Sequence, residues 1–576
     1  MRNKIDLSLP PEDLFLNPWR NPGLRLLREP SFLWRTRLPG RIAGFSVSAH
    51  PEIDQKINAH LQMTARTRVF DFAFEYATVP VVLDQAAFLK SFVTARDRVV
   101  LGGPAGVRLL NRFRWENRDA GRDVDASLAR YFEDCRTNNE GRDLPLYSRV
   151  IGPDICFAVA CRNTFNYYHF ITEALCQLTV LDDLHFQGDI YFHFPNTEDR
   201  QRPFAEAFVD ALFPEYRGRV HFERAPRDYD LVLTAFDLAG AHHQAPVKLT
   251  RDMNRYLPQA IVDQGGAASV ASRVPLSMNT VNSALLALRD RALSLIEGQD
   301  FSHLPRRFYV GRDDRQSRSR NLEGEDLLFD HLRLFGFEYV VFENLSPLEQ
   351  VAIMAQAEMM VSYHGAGFTN MLFANPKAYV IEIGTLQTAQ SRWGDFWPLA
   401  HASGCSYVNF FADFKADDPV SEPDFKVDGI VPGALSQAAT GQIMALIVSL
   451  LGQYPRIRTA APLEKLGRAL LTMGEGMKAV AVLEENDQIV SRTAALCLLK
   501  ADCHKELGEP KSELVALDRA FKADPSRWQT LVRIIWCANR CERPQVIRWA
   551  LSRLKADFPN RHDAFVGNHE WVRFVA

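Results

Sequence analysis

Between residues 306 and 384, short apolar runs alternate with segments whose apolar positions recur at helical spacing. The runs at 307–312, 337–342 and 378–384 predict strands, and the segment at 324–332 predicts a helix between the first two. Ser346, Pro347 and Glu349 form a capping box with proline in the first helical position, which predicts the start of another helix. Strands and helices that alternate at this spacing predict a parallel sheet with right-handed crossovers.

The stretch from Val361 to Asn370 predicts a strand, a glycine-flanked turn and the start of a helix. Gly365 and Gly367 let backbone N–H groups approach a bound anion, and a helix N-terminus adds about half a positive charge. Glu382 lies near the end of the next strand, where open α/β sheets commonly hold a ribose. The pattern therefore predicts a nucleotide site. The alternative is a plain turn, because glycines after a strand often serve only for that.

Two blocks of the chain resemble the family-61 glycosyltransferases, which are often labelled capsular polysaccharide biosynthesis proteins in bacteria. The first block is similar to the family's Asn-Tyr-aromatic-His signature and consists of Asn166, Tyr167, Tyr168 and His169, followed by Glu173. The second block resembles the family's C-terminal half and consists of Arg312, Ser346, Glu349, Gln350, His364, Gly365, Ala366, Gly367, Asn370 and Glu382. The resemblance covers about residues 40–415.

This resemblance implies a fold of the GT-B type, in which two Rossmann-like domains face each other across a cleft. It also implies inverting transfer of a sugar from a nucleotide donor that is held mainly by the second domain. The predicted class is therefore α/β, with an added C-terminal all-α domain. The predicted units are an irregular arm at 1–40, an acceptor-side domain at 41–265, a nucleotide-sugar-binding domain at 266–455 and a helical domain at 456–576.

Inverting transfer needs a base for the acceptor hydroxyl and a cationic group for the leaving diphosphate. His169 and Glu173 lie four residues apart, so a helix would bring them into contact, and either residue could be the base. The alternative is that they only support the fold. Arg312 is the candidate clamp for the diphosphate, because a guanidinium can make two parallel hydrogen bonds. Its alternative role is to neutralise a neighbouring aspartate at the surface.

The remaining site candidates have less defined roles. The residues predicted to bind the nucleotide-sugar donor also include His364, Ala366, Thr369 and Asn370. Alternatively, Asn370 only braces the helix. Further candidates are Asn166, Arg318, Arg320 and Glu349. The chain departs from the family at Glu323-Gly324, where an Asn-Glu pair is usual. Any contact that the family's asparagine makes is therefore in doubt for this chain.

No metal site or cofactor is predicted from the chain. It has no Asp-x-Asp triplet in a loop after a strand, and its nine cysteines form no C-x-x-C pair. The donor is predicted to be a nucleotide-sugar, with uridine as the commonest base and a cytidine-linked acidic sugar as the alternative. The predicted acceptor is a glycan or lipid-linked glycan.

Two glycine-rich stretches are predicted to be a turn between strands, at 102–106, and a flexible linker, at 266–269.

After residue 455 the pattern changes to a repeat. The pair Gly474-Glu475 recurs as Gly508-Glu509. This interval matches the tetratricopeptide period of roughly 34 residues. Three degenerate helix pairs are predicted, either as a docking surface for a protein partner or as a structural appendage.

Composition sets the outer limits. The 576 residues are 47% hydrophobic and 24% charged with a formal net charge of −3, which is typical of a globular protein and does not favour nucleic-acid binding. No run of about 18 apolar residues occurs, so a cytoplasmic protein is predicted, with a peripheral position at the inner face of the membrane left open. The favoured function is an inverting glycosyltransferase of bacterial capsule, exopolysaccharide or lipopolysaccharide synthesis. The alternative is a non-catalytic glycan- or nucleotide-binding scaffold that recruits partners.

Overall fold

Two large sheets and one small sheet form the α/β part of the chain, as its computed structural model shows. The structure describes residues 5–89, 92–161, 166–194, 203–312, 322–416, 418, 420–569 and 571–572. The candidates Arg318 and Arg320 lie outside the described residues. None of the helices within these ranges is both long and apolar enough to cross a membrane.

The first sheet combines a parallel half with an antiparallel half. In spatial order its strands are Val220–Glu223, Ile190–His193, Phe157–Ala160, Arg227–Asp237, Thr78–Leu89, Phe92–Ala95 and Arg98–Val99, and Leu24–Leu26 also pairs with Thr78–Leu89. The first four strands run parallel, and the others join through antiparallel pairs. The small sheet contains Thr280–Asn282, Ala73–Tyr76 and Trp34–Arg37.

The second sheet is parallel except at one edge. In spatial order its strands are Glu338–Val340, Arg307–Val310, Met359–Tyr363, Tyr379–Thr385 and Ser406–Phe414, with Arg41–Ser46 parallel and Gly433–Ala434 antiparallel to the last. The parallel strands and the capping box of Ser346, Pro347 and Glu349 agree with the sequence predictions. The strand Arg41–Ser46 belongs to this sheet, although its position in the chain falls within the predicted acceptor-side domain.

Helices connect and cover these strands. The α-helices before residue 455 are Pro11–Leu14, Pro51–Thr67, Gly103–Asp119, Val124–Asn138, Tyr167–Glu173, Pro203–Leu212, Leu238–Ala241, Val247–Met253, Gln259–Val262, Arg273–Met278, Ser283–Ile296, Glu325–Arg333, Pro347–Ala355, Leu386–Ser391, Trp397–Ser403, Phe425–Asp428 and Gln437–Leu450. The 3-10 segments are Leu175–Leu181, Pro214–Tyr216, His242–Gln244, Asn254–Tyr256, Gly266–Ala268, Val270–Ser272, Phe342–Asn344, Ala366–Phe373 and Trp393–Phe396.

Three local predictions were wrong. Residues 102–106 do not join two strands but open the long helix Gly103–Asp119, which has proline in its first turn. Residues 266–269 are no flexible linker, because the carbonyl of buried Ala267 accepts a hydrogen bond from His242 Nε2 at 3.0 Å. Residues 5–40 are no irregular surface arm, because they supply two strands and the buried core residue Phe15.

The C-terminal region is entirely helical in its described residues. Its helices are Ala460–Thr472, Gly476–Glu485, Asp487–Val490, Ala494–Glu506, Pro510–Ala523, Trp528–Arg540, Pro544–Asp557 and Pro559–Asn568. The predicted interval separates the starts of the helices at Ala460, Ala494 and Trp528. The same interval separates the starts of the helices at Gly476, Pro510 and Pro544. These helices therefore form three pairs at the predicted spacing.

This helical region shares a hydrophobic core with the second sheet. Val408 and Ile381 of the sheet belong to the same buried cluster as Leu463 and Leu470 of the first C-terminal helix. At its edge, Tyr379 donates a hydrogen bond to the carboxylate of Glu475. The first helices of the region are therefore packed on the sheet, whereas the helices from Trp528 onwards belong to a separate hydrophobic cluster.

The start of the strand Arg41–Ser46 depends on a close approach of two backbones. Gly40 donates its N–H to His401 Nδ1 at 3.1 Å, and a Cβ at Gly40 would lie 2.6 Å from the carbonyl carbon of Ala400. We expect Gly40→Ala to destabilise the protein by about 1–3 kcal/mol, because the added methyl group forces the two segments apart. Thermal unfolding measures the effect. Gly441→Ala is the matched control, since a Cβ there meets nothing within 4 Å, and equal melting temperatures of the two variants would contradict the expectation.

Candidate active site

A cleft of about 1740 Å³ opens between the elements of the first and second sheets. One wall carries the helix Tyr167–Glu173, and the facing wall carries Arg312 and the turn at 363–367. Both blocks of the sequence resemblance therefore contribute to one cavity. Among the described residues, no group of three or more His, Cys, Asp or Glu side chains is arranged to hold a metal ion.

The strand order of the second sheet explains the position of Arg312 and His364. The strand Arg307–Val310 lies between Glu338–Val340 and Met359–Tyr363, so the connections from the two central strands leave in opposite directions. Such a reversal is called the topological switch point of the sheet. It creates a crevice at the carboxyl ends of the strands, where ligands of open α/β sheets bind. Arg312 follows one of these strands by two residues and His364 follows the other directly.

His364 is held by a buried carboxylate. Its Nδ1 lies 2.6 Å from Oε1 of Glu382, and Tyr407 donates its hydroxyl to the other carboxylate oxygen. The side chain of Glu382 is only 1% exposed, whereas His364 lines the cleft. The sequence placed Glu382 against a ribose, but its carboxylate lies behind His364 because the strand Tyr379–Thr385 is covered on both faces. This arrangement fixes the tautomer of His364 and leaves Nε2 as the nitrogen for a ligand.

Arg312 packs directly against the glycine turn. Its Nη2 donates a hydrogen bond to the carbonyl oxygen of His364 at 2.5 Å. A Cβ at Gly365 would lie 2.5 Å from the same Nη2, so glycine is required there for the guanidinium to occupy this position. Burial lowers the pKa of Arg312 from its ordinary value, but an arginine remains charged at neutral pH. The guanidinium therefore brings a fixed positive charge to the crevice.

The turn continues into the 3-10 helix Ala366–Phe373, not into the α-helix expected there. Thr369 is buried and donates its hydroxyl to the carbonyl oxygen of Ala366. Asn370 is also buried, and its amide donates to Gln350 at 3.1 Å while its oxygen accepts the hydroxyl of Tyr167 at 2.6 Å. Asn370 thus braces the turn, the alternative that the sequence left open, and joins it to the facing wall.

His169 and Glu173 form a second imidazole–carboxylate pair. They lie on the helix Tyr167–Glu173, where His169 Nδ1 is 2.7 Å from Glu173 Oε1 and both side chains line the cleft. Asn166 caps this helix by accepting the N–H of His169 at 3.2 Å. His169 therefore does not serve as the cap itself. Its Nε2 is the ring nitrogen left for a ligand.

Asp395 is a cleft residue that sequence reasoning missed. Its backbone oxygen accepts the hydroxyl of Tyr168 at 2.8 Å, and the next ring, Phe396, has its centroid 5.6 Å from that of Tyr168 and 5.8 Å from that of His364. Burial raises the pKa of Asp395, and electrostatic interaction with Arg392, and less with His364 and His169, opposes this rise. No local pattern marks this position, because only tertiary contacts bring it between the two histidines.

Glu349 lies apart from this chemistry. Its carboxylate accepts the N–H of Ser346 at 2.8 Å and contacts His303, and it is absent from the cleft lining. Its place in the family-like block is thus explained by helix capping.

The cleft combines two features that define a class of protein. An arginine and a turn at the switch point of a parallel sheet suit a phosphate-bearing ligand, and an imidazole–carboxylate pair on the facing wall suits proton transfer. Residues 167–381 match the family model described as Glycosyltransferase 61. This match shows that this part of the chain is similar to the family, as the two sequence blocks predicted, and it supports a glycosyltransferase.

Two further comparisons add little. No curated protein matches the chain. A solved structure described as the crystal structure of MamA matches 17% of this chain and 57% of its own length, at 15% identity and a TM-score of 0.16. That match spans little more than half of the other chain, and a likeness this low carries no argument.

Proposed function

We propose that the protein is an inverting glycosyltransferase that moves a sugar from a nucleotide-sugar to a glycan acceptor. The observation that carries this proposal is the pairing of two imidazole–carboxylate units across one cleft. One unit, His364 with Glu382, adjoins Arg312 at the switch point, and the other, His169 with Glu173, lies on the facing wall. This arrangement also supports a GT-B-type organisation with the donor on the second sheet.

In the proposed reaction, His169 is the base. Its Nδ1–H donates to Glu173, so that Nε2 can accept the proton of the acceptor hydroxyl. The freed oxygen forms a bond to the anomeric carbon of the donor while the bond from that carbon to the phosphate oxygen breaks. Glu173 stabilises the positive charge that appears on the imidazole.

The leaving nucleotide carries away the electron pair of the broken bond, so its phosphate gains negative charge. The guanidinium of Arg312 is the donor for this charge, whereas Nε2 of His364, whose Nδ1–H is held by Glu382, accepts a hydrogen bond from a hydroxyl of the nucleotide-sugar donor. Asp395 lies between the histidines, where its carboxylate orients an acceptor or donor hydroxyl. Because side chains supply these functions, we propose that the reaction needs no metal ion.

The remaining features of the proposal concern the biological setting. We propose a uridine-linked donor, with a cytidine-linked acidic sugar as the alternative, and an acceptor that is a glycan or a lipid-linked glycan of bacterial capsule, exopolysaccharide or lipopolysaccharide synthesis. The C-terminal helices have a tetratricopeptide-like period and offer a surface for a protein partner. A cytoplasmic protein, with peripheral contact at the inner face of the membrane, fits this role.

The test is a thermal-shift panel of nucleotides and nucleotide-sugars, with and without chelator, followed by assay of nucleotide release with a glycan extract. A nucleotide that raises the melting temperature by mass action identifies the donor base. The anomeric configuration of the product, read by NMR, tests inversion. A donor that binds without any transfer would support the scaffold alternative, and loss of binding with chelator would overturn the metal-free mechanism.

We expect Glu382→Gln to weaken nucleotide binding although the side chain does not reach the cleft. The amide cannot accept hydrogen bonds from both Tyr407 and His364, so the imidazole loses its fixed tautomer. A lost hydrogen bond to a charged group costs about 1.5–3 kcal/mol, which corresponds to roughly 10- to 100-fold in affinity. Calorimetric titration with the donor nucleotide measures this, and Glu338→Gln, on an exposed edge position, is the control. Wild-type affinity in Glu382→Gln would contradict the role given to His364.

A further inference from the structure

Besides Arg312 and Arg392, two arginines line the cleft. Arg68 ends the helix Pro51–Thr67, and Arg273 begins the helix Arg273–Met278. Neither guanidinium forms an ion pair with any residue that the structure describes, and the one side-chain hydrogen bond of Arg273 found there goes to the neutral amide oxygen of Asn111. Nη1 of Arg273 is buried and has no hydrogen-bond partner within the described ranges. No ion pair with the described residues therefore compensates these two positive charges.

A buried histidine lies beside Arg273. His243 also lines the cleft and is 8% exposed, and its buried Nδ1 has no hydrogen-bond partner among the residues described. Burial lowers the pKa of His243 well below its ordinary value, and nearby His242, Arg273 and Arg136 lower it further, so the ring is neutral at neutral pH. We call the surface formed by Arg68, Asn111, His243 and Arg273 the basic wall.

The basic wall leads away from the candidate catalytic groups. The six-residue helix between its two arginines is about 9 Å long. The carbonyl oxygen of Arg68 accepts a hydrogen bond from Asn279 at one end of this helix, while Arg273 stands at the other end. Met278 is the last residue of this helix, at the end next to Arg68. A Cβ at Gly394, the residue before Asp395, would lie 2.7 Å from Cγ of Met278, so this end of the wall adjoins Asp395. An extended ligand that starts at the reaction centre would therefore run along the wall.

The acidic residues of the cleft do not neutralise the basic wall. Glu173 pairs with His169, and Asp395 pairs with Arg392 at 3.4 Å. Asp237 is buried and accepts hydrogen bonds from Ala239 N–H and Asn282, and burial raises its pKa to about 6. Glu343 influences Arg312 electrostatically, on the side of the second sheet. None of these acids forms an ion pair with Arg68 or Arg273 within the described ranges.

We propose that the basic wall binds an anionic group carried by the glycan acceptor. Guanidinium groups bind carboxylates and phosphates through paired, charge-assisted hydrogen bonds, and a partly buried charge without an ion-pair partner favours a ligand of opposite sign. The proposal rests on the proposed function, because it assigns the wall to the acceptor and the switch point to the donor. The anionic group is the carboxylate of a uronic-acid residue or a phosphate on the glycan.

Calorimetric titration of the full-length protein with three probes tests this proposal. Trigalacturonic acid carries carboxylates, inorganic phosphate represents the other source, and maltotriose is a neutral trisaccharide. We expect at least one of the two anions to bind, with an affinity that falls with salt, and maltotriose not to bind. Arg68→Gln and Arg273→Gln should each weaken anion binding about 10- to 100-fold, whereas Arg273→Lys should keep part of it.

The controls separate this proposal from the proposed function. Arg255→Gln, at an exposed position outside the cleft lining, should bind the anion as the wild type does. Uridine diphosphate is titrated into the same variants, and its affinity should not change. Loss of nucleotide binding in Arg68→Gln or Arg273→Gln would overturn the proposal by moving the wall to the donor. Failure of both anions to bind, or equal binding by both glutamine variants and the wild type, would also overturn it. If the protein bound an anion through the wall but bound no nucleotide, the result would support the anion site and contradict the proposed transferase function.

Discussion

Replacing His169 by alanine is expected to lower kcat by about 10²- to 10⁴-fold, the range of general acid–base catalysis. The imidazole is the group on the helix Tyr167–Glu173 that can take a proton at Nε2 while Glu173 holds Nδ1 at 2.7 Å. Nucleotide affinity should change little, because His169 lies on the wall that faces Arg312. Steady-state kinetics together with calorimetric titration of the donor nucleotide separates the two quantities.

Two variants complete this test. Glu173→Gln should lower kcat less than His169→Ala does, because it removes the orienting charge and leaves the base in place. His331→Ala changes an exposed histidine on the helix Glu325–Arg333 and should keep wild-type kinetics. If His169→Ala kept its turnover while Glu173→Gln lost it, Glu173 would be the base. If His169→Ala lost donor affinity instead, the pair would belong to the nucleotide site.

Replacing Arg312 by alanine is expected to weaken donor binding by about 2–5 kcal/mol, the cost of removing one partner of a desolvated charge pair. The guanidinium adjoins the turn through its hydrogen bond to the carbonyl oxygen of His364. Arg312→Lys should recover only part of the affinity, because an ammonium group cannot make two parallel hydrogen bonds to a diphosphate. Titration with nucleoside diphosphate and with the nucleoside alone measures the part that comes from the phosphates.

The matched control is Arg333→Ala, which removes an exposed arginine of the same region. Its donor affinity should equal that of the wild type. Gly365→Ala should imitate Arg312→Ala in part, because its Cβ would lie 2.5 Å from Nη2. An Arg312→Ala variant that loses affinity for the nucleoside as much as for the diphosphate would contradict the phosphate role.

Local patterns predicted the elements that local forces determine. The capping box at Ser346 is encoded within one helical turn, and the contact of His169 with Glu173 follows from their spacing on one helix. The strand ends before Arg312 and His364 could also be found, because parallel strands separated by helices have a regular spacing. These parts of the site required no knowledge of distant contacts.

The parts that sequence reasoning missed depend on tertiary contacts. Glu382 lies behind His364 because Tyr407, on the next strand, binds its second oxygen. Asp395 reaches the cleft through a backbone contact with Tyr168, which lies far earlier in the chain. The long helix at Gly103–Asp119 was hidden by its glycine-rich start, although the proline in its first turn is a common feature of helix N-termini.

The path of the chain through the three sheets limits how the two walls of the cleft can move. The chain enters the small sheet at Trp34–Arg37, adds Arg41–Ser46 to the second sheet, returns to the small sheet at Ala73–Tyr76 and crosses again after Thr280–Asn282. Several covalent crossings beside one small sheet tie the two large sheets together, and both sheets contribute to one buried hydrophobic cluster that includes Phe157 and Met360. The cleft should therefore keep His169 and Arg312 in the same mutual orientation throughout every catalytic cycle.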